Sequence, residues 1–170
     1  MAVALLLLGA GCTQLLDGPD DGSGSDGTSS NGGSNASGGG GTGPDLFAEA
    51  RDACVDRINA FRATENLPAL ARWTAAEACT DRQSGLDADT GSAHGNFGTC
   101  DEWAQNTCPG WPDVDSVIEG CLQLMWDEGP GEPFSEHGHY INMSSTNYTR
   151  VACGFYVMDN GEIWSNHNFQ

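Results

Sequence analysis

The chain has 170 residues, with 24 carboxylates set against six arginines and no lysine, for a formal net charge of −18. That length suits one ordinary domain, and the charge excludes nucleic acid as a partner, because a duplex binder must supply cations that displace counterions from phosphates. Anionic membrane surfaces are disfavoured for the same reason.

Ala2 to Leu8 form an apolar run followed by Gly9, Ala10, Gly11 and Cys12. This is the order of a secretory signal ending in small residues, and the run is too short to span a bilayer. It resembles a bacterial lipoprotein signal, in which the cysteine is acylated and becomes the new first residue. Residues 1–12 are therefore read as a signal peptide with Cys12 as the lipidation site. Residues 13–43 are read as a tether. From Gly18 to Gly43, 17 of 26 residues are Gly or Ser and none is a large hydrophobe, too little apolar area to offset the entropy of ordering. Residues 44–170 remain as the functional domain, with 20 carboxylates, six arginines and a net charge of −14.

Six further cysteines, Cys54, Cys79, Cys100, Cys108, Cys121 and Cys153, form an even set in a chain addressed for export and imply three disulfides. No C-x-x-C pair occurs, so a metal role for them is disfavoured. Spacing favours a local Cys100–Cys108 loop, with Cys54 joined to Cys79 and Cys121 to Cys153.

Asp45 is placed to cap a helix over about 46–64, in which Phe47, Ala50, Cys54, Ile58 and Phe61 recur on one stripe until Pro68 blocks continuation. Thr74 and Glu77 spell a capping box, which predicts a short helix to about Gln83. Ser116 and Glu119 spell another, opening a third helix that presents Ile118, Cys121, Leu122 and Met125 and ends before Gly129. Val151 to Met158 and Glu162 to Phe169, joined by Asp159-Asn160-Gly161, predict a hairpin. Helices first and strands last indicate an α+β domain with an antiparallel sheet rather than parallel βαβ units.

The histidines are His94, His137, His139 and His167. In Glu136-His137-Gly138-His139-Tyr140 the two imidazoles are two positions apart, so an extended backbone would turn both the same way. No nucleophile elbow, HExxH or P-loop occurs, and every cysteine of the domain is expected to be oxidised.

Gly138-His139-Tyr140-Ile141-Asn142-Met143, with Val151-Ala152-Cys153-Gly154-Phe155 beyond it, resembles the GHYTQ…GC signature of the CAP superfamily, also called SCP domains. This superfamily holds the cysteine-rich secretory, antigen 5 and pathogenesis-related-one proteins. Other blocks agree in order. They are Asp56 to Arg62 with Leu67-Pro68-Ala69-Leu70, then Ala93-His94, Ala104-Gln105-Asn106 where the family carries GEN, and Met125-Trp126-Asp127-Glu128 where it has W-x-x-E.

The resemblance implies an α-β-α sandwich with a small central sheet flanked by helices. It also implies an open cleft where His94 and His139 meet Glu128, with Gln105, Tyr140 and Asn142 around them. Gln105 stands where the family has glutamate, and an amide cannot serve as a general base. Two neutral imidazoles suit a weakly held, zinc-like divalent cation, whose binding fades in mildly acidic solution as the rings protonate.

The expected function is that of an exported, lipid-anchored, monomeric and non-catalytic binding module of the cell envelope or surface, taking a small amphiphile or a cell-surface partner. One alternative is a metal-dependent hydrolase, such as a peptidase, using His139 and Glu128. Another is a structural or adhesive surface lipoprotein.

Overall fold

The computed structural model describes residues 45–170. The expected signal sequence, Cys12 and the expected tether lie outside the described residues.

Helix α1 spans Ala48–Thr64 and buries Cys54, Ile58 and Phe61 of the expected stripe together with Val55, while Phe47 and Ala50 are partly buried against the same core. Asp45 accepts the Phe47 amide at 2.9 Å just ahead of the helix. After the two-residue strand β1, Ala71–Arg72, helix α2 runs from Thr74 to Thr90, a turn and a half or more beyond its expected end. Ser84 and Gly85 are weak helix formers, but both are buried, and Gly85 lies against the Tyr156 ring. The Thr74–Glu77 capping box does not form, because Glu77 turns to Arg72, whose Nε and Nη2 donate to it at 2.6 and 3.0 Å.

Strand β2, Ala104–Trp111, was not expected, and it contains Cys108. The third helical region begins two residues earlier than predicted, at α3, Val114–Ser116, with Asp113 rather than Ser116 as its cap; the Asp113 carboxylate accepts the Ser116 amide at 2.7 Å. It continues through a π-helical turn, Val117–Cys121, into α4, Leu122–Asp127.

Helix α5, Phe134–Ser144, corrects the extended reading of the His137 to His139 segment. On a helix, residues two apart point about 200° from one another, so the two imidazoles diverge. The hairpin is as expected, with β3, Arg150–Val157, antiparallel to β4, Ile163–Phe169.

The four strands lie in the order β1-β3-β4-β2. β2 and β3 flank β4 antiparallel, while the short β1 joins β3 in parallel, so the sheet is mixed. Val151, Cys153 and Phe155 share one face with Phe169, packed with Ile58, Phe61 and Leu122 in the main apolar core. The opposite face carries Asn168, Asn166 and Gly154 against α2. A Cβ on Gly154 would fall 2.5 Å from the Thr80 carbonyl carbon, so glycine sets how closely helix and sheet approach. The result is the expected α+β sandwich with α2 on one side of the sheet and α1 with α3 to α5 on the other.

Three disulfides form, but with pairings other than those expected: Cys54–Cys153, Cys79–Cys100 and Cys108–Cys121. Cys153 faces α1 because it shares the core face of the sheet, which places it beside Cys54 rather than Cys121. Cys108 is unavailable to Cys100 because the unforeseen β2 carries it along the sheet to the helical turn that holds Cys121.

Candidate functional site

His94 sits in the segment between α2 and β2, in the left-handed region at φ 62°. Buried Asp87 holds this segment. One oxygen accepts the Asn96 backbone and side-chain N–H groups at 3.0 and 2.8 Å, and the other accepts Asn166 Nδ2 from β4 at 2.9 Å. The His94 Nδ1 lies 2.9 Å from Gln105 Oε1, at the start of β2, and 3.3 Å from Thr107 Oγ1.

His139 projects from the middle of α5, and its Nδ1 is hydrogen-bonded to Glu128 Oε1. The other Glu128 oxygen accepts the backbone N–H of His139 at 3.0 Å and, more distantly, that of Tyr140 at 3.4 Å. Both carboxylate oxygens are therefore committed to orienting His139. His137 is bound elsewhere, with its Nδ1 against the Glu128 and Gly129 carbonyls at 2.8 and 3.0 Å, and serves to fasten the loop beyond α4.

His94 and His139 line one cavity of about 240 Å³, together with Gln105, Phe134, Ser135 and Asn142. Glu128 stands behind His139. Tyr140 is directed away, with its hydroxyl donating to Glu65 at 2.6 Å and its ring against Trp126. Burial, followed by the Glu65 carboxylate, raises the Tyr140 pKa. Asn142 joins α5 to β2, donating from Nδ2 to Asn106 Oδ1 at 2.9 Å. The two imidazoles thus engage acceptors through Nδ1, which leaves on each the Nε2 lone pair to bind a ligand. An imidazole held by a carboxylate or amide oxygen in this way fits a metal ligand.

Sequence reasoning missed several groups. A second, more apolar groove of about 420 Å³ adjoins the cavity through His94, Gln105, Phe134 and Asn142, and adds Phe97, Trp103 and Tyr148. Phe97, Trp103 and Phe134 are about half exposed or more, an unusual concentration of bare aromatic surface. Their sequence positions fall in a loop and a helix start with no periodic signal, so only assembly of the fold unites them.

His167 was noted only as one of four histidines. It is fully buried opposite Cys153 in the sheet, its Nδ1 has no hydrogen-bond partner among the described residues, and its Nε2 lies 3.2 Å from Ser165 Oγ. Its ring nitrogen and the Cys54 and Cys153 sulfurs lie within 4.8 Å of one another, but those sulfurs are joined as a disulfide and cannot act as thiolate ligands.

Burial, with nearby His139 as a smaller cause, pushes the His167 pKa down to about 3. An unfolded histidine takes up its proton near pH 6.5, whereas the buried ring stays neutral until about pH 3. The unfolded state thus binds the extra proton between those values, and stability is lost as pH falls through them. At pH 4 this ring is expected to remove about 3 kcal/mol of stability relative to neutral pH. Urea unfolding of the protein and of His167→Asn at pH 7 and pH 4 tests this. An equal acid loss in both proteins would exclude His167 as the cause.

No family model and no curated protein sequence matches the chain. Solved structures do. Na-ASP-1 is 15 % identical over 71 % of this chain, with a TM-score of 0.56, and this chain spans only 38 % of its length. Venom allergen-like protein 4 of Schistosoma mansoni is 14 % identical, covering 72 % of this chain and 90 % of its own, with a TM-score of 0.51. An outer surface protein from Borrelia burgdorferi is 12 % identical, covering 73 % and 94 %, with a TM-score of 0.53. At these identities the likeness is one of fold alone.

Proposed function

We propose that this protein is an exported, non-catalytic binding module, tethered by lipid at Cys12, whose cleft holds a divalent cation between His94 and His139. The observation that carries the reading is the shared cavity in which each imidazole is held through Nδ1 by an oxygen, Gln105 for one and Glu128 for the other. Zinc-like ions suit such nitrogen donors, with Ser135 and Asn142 able to contribute oxygen or hold water.

The three disulfides fit an oxidising extracellular compartment, and the surface location printed for the Borrelia neighbour agrees with it. The apolar groove beside the cleft supports a small amphiphile as ligand, its polar end at the cavity and its apolar part along Phe97, Trp103 and Phe134. A hydrolase is disfavoured because Gln105 cannot accept a proton from water and both oxygens of Glu128 are engaged with α5.

Zinc titrated into the purified protein by calorimetry should bind at one site. His94→Asn, which tolerates the left-handed backbone, and His139→Ala should each weaken binding at least 10-fold. Binding unchanged in both variants, or no binding to the parent protein, would remove the cation. Metal-dependent cleavage of peptides or esters that disappears in both His94→Asn and Glu128→Gln would replace the binding module with a hydrolase.

A further inference from the structure

We infer that Glu102 and Gln83, neither of which lines the cleft, are positioning residues that set the tautomer of His94 through Gln105, keeping the proton on Nδ1 and the Nε2 lone pair available to a ligand. The inference deepens the cation reading and rests on it for its purpose, though not for its geometry.

At the far end of the relay stand groups that can only accept. The Glu102 carboxylate is 5 % exposed and receives the Gly98 and Cys100 backbone N–H groups at 2.6 and 2.8 Å. Its Oε1 also receives Gln83 Nε2 at 2.5 Å, and the Asn96 carbonyl receives the same amide nitrogen at 2.9 Å. A carboxylate and a carbonyl have no hydrogen to offer, so the Gln83 amide nitrogen must face them. Its Oε1 is thereby turned to the other side, toward Gln105 Nε2 at 3.1 Å and Asn168 Nδ2 at 2.6 Å.

Asn168 is oriented independently. Its Nδ2 also donates to Thr80 Oγ1 at 3.1 Å, and that hydroxyl has spent its own hydrogen on the Ala76 carbonyl at 2.9 Å. Asn168 Oδ1 is therefore the atom that faces Gln105 Nε2, at 2.9 Å. Gln105 and Asn168 are directly paired across β2 and β4, so both side chains emerge toward α2.

With both hydrogens of its amide engaged, Gln105 has only Oε1 left for His94 Nδ1. An oxygen without a hydrogen can only accept, and the imidazole must present N–H there. Every member of the chain from Glu102 to Gln105 is at most 5 % exposed, so water does not compete for these groups and reversal would leave several buried atoms unpaired. His139 reaches the same tautomer by a shorter route, through the Glu128 carboxylate. The cleft thus has two nitrogen donors of like form, one set by a surface-side carboxylate and the other by a buried amide relay.

The test is imidazole nitrogen NMR on the uniformly 15N-labelled full chain without added metal, at a pH where the rings are neutral. His94 should give the pattern of a single Nδ1–H tautomer. Gln83→Met, which keeps volume but removes polarity, should convert His94 to a mixture of tautomers and weaken zinc binding about 10-fold, leaving His139 unchanged as an internal reference.

An Nε2–H form of His94 in the parent protein overturns the inference, as does an unaltered His94 pattern in a folded Gln83→Met. Should that variant fail to fold, the parent spectrum still decides the tautomer. Gln105→Met, at the end of the edge strand, then tests the relay, since an unchanged His94 in it would show that the amides do not set the ring. Failure of zinc to bind while His94 carries its proton on Nδ1 would sink the cation reading and leave the relay intact. Zinc binding with His94 in the Nε2–H form would do the reverse.

Discussion

Replacing Cys54 and Cys153 together by alanine should destabilise the protein by about 4.7 kcal/mol, the loop-closure value for a cross-link spanning roughly 100 residues. The bond joins residues 99 positions apart, against 21 for Cys79–Cys100 and 13 for Cys108–Cys121. A loop of about 15 residues is worth nearer 3 kcal/mol, so the three double-alanine variants should rank in the order of their separations. Packing acts in the same direction. Both Cys54 and Cys153 are fully buried where α1 meets the sheet, so lost sulfur leaves unfilled volume in the main core. Urea unfolding of the three variants checks the ranking. A Cys54/Cys153 variant no less stable than the Cys108/Cys121 one would show that the long closure contributes little.

Arg62→Met should cost about 3 kcal/mol, since the buried Met143 carbonyl would lose its donor at about 1 to 3 kcal/mol and two partly exposed carbonyls would lose theirs as well. Arg62 is 1 % exposed at the end of α1. Its Nε donates to the Pro68 carbonyl at 2.8 Å, and its Nη1 donates to the Met143 and Ser145 carbonyls at 2.6 and 2.9 Å. The latter two lie at the C-terminal end of α5, where a cation also complements the helix dipole. Burial lowers the Arg62 pKa, and backbone oxygens rather than a carboxylate compensate the charge. Because α5 carries His139 and Asn142, the same substitution should loosen the cleft. Faster amide hydrogen exchange across 139–145, relative to α2, is the expected signature. Uniform acceleration throughout would mean only global destabilisation.

Elements that announce themselves by periodicity were legible in the sequence. The α1 stripe and the β3–β4 hairpin fall where alternation and turn chemistry place them. Strand β2 was hidden because its buried positions include Gln105, Asn106 and Thr107, amides and a hydroxyl that find their partners only once α2, β4 and α5 are assembled. The disulfide pairing failed with it, since Cys108 travels on that strand. The extended reading of the His137 segment failed because Gly138 disfavours helix in isolation, whereas in the fold Phe134 packs over it.

At the cleft, His94, Gln105, His139 and Asn142 were named from ordered motifs, and one cavity unites them. Glu128 was named too, though its place is behind His139. Glu102 and Gln83 were invisible, because a polar residue buried by pairing leaves no pattern distinct from one dissolved in water.

Near the start of the described residues, Asp45 receives two hydrogen bonds from Arg51, whose remaining donors reach Asp81 on α2 and the Cys153 carbonyl at 2.7 Å. One turn later the Cys54–Cys153 bond fixes the same helix to the same strand. A pull arriving from the N-terminal side would therefore be delivered within ten residues to the middle of the sheet, first through a breakable ionic clasp and then through a covalent rivet. Mechanical load would be shared by the whole body instead of peeling α1 away.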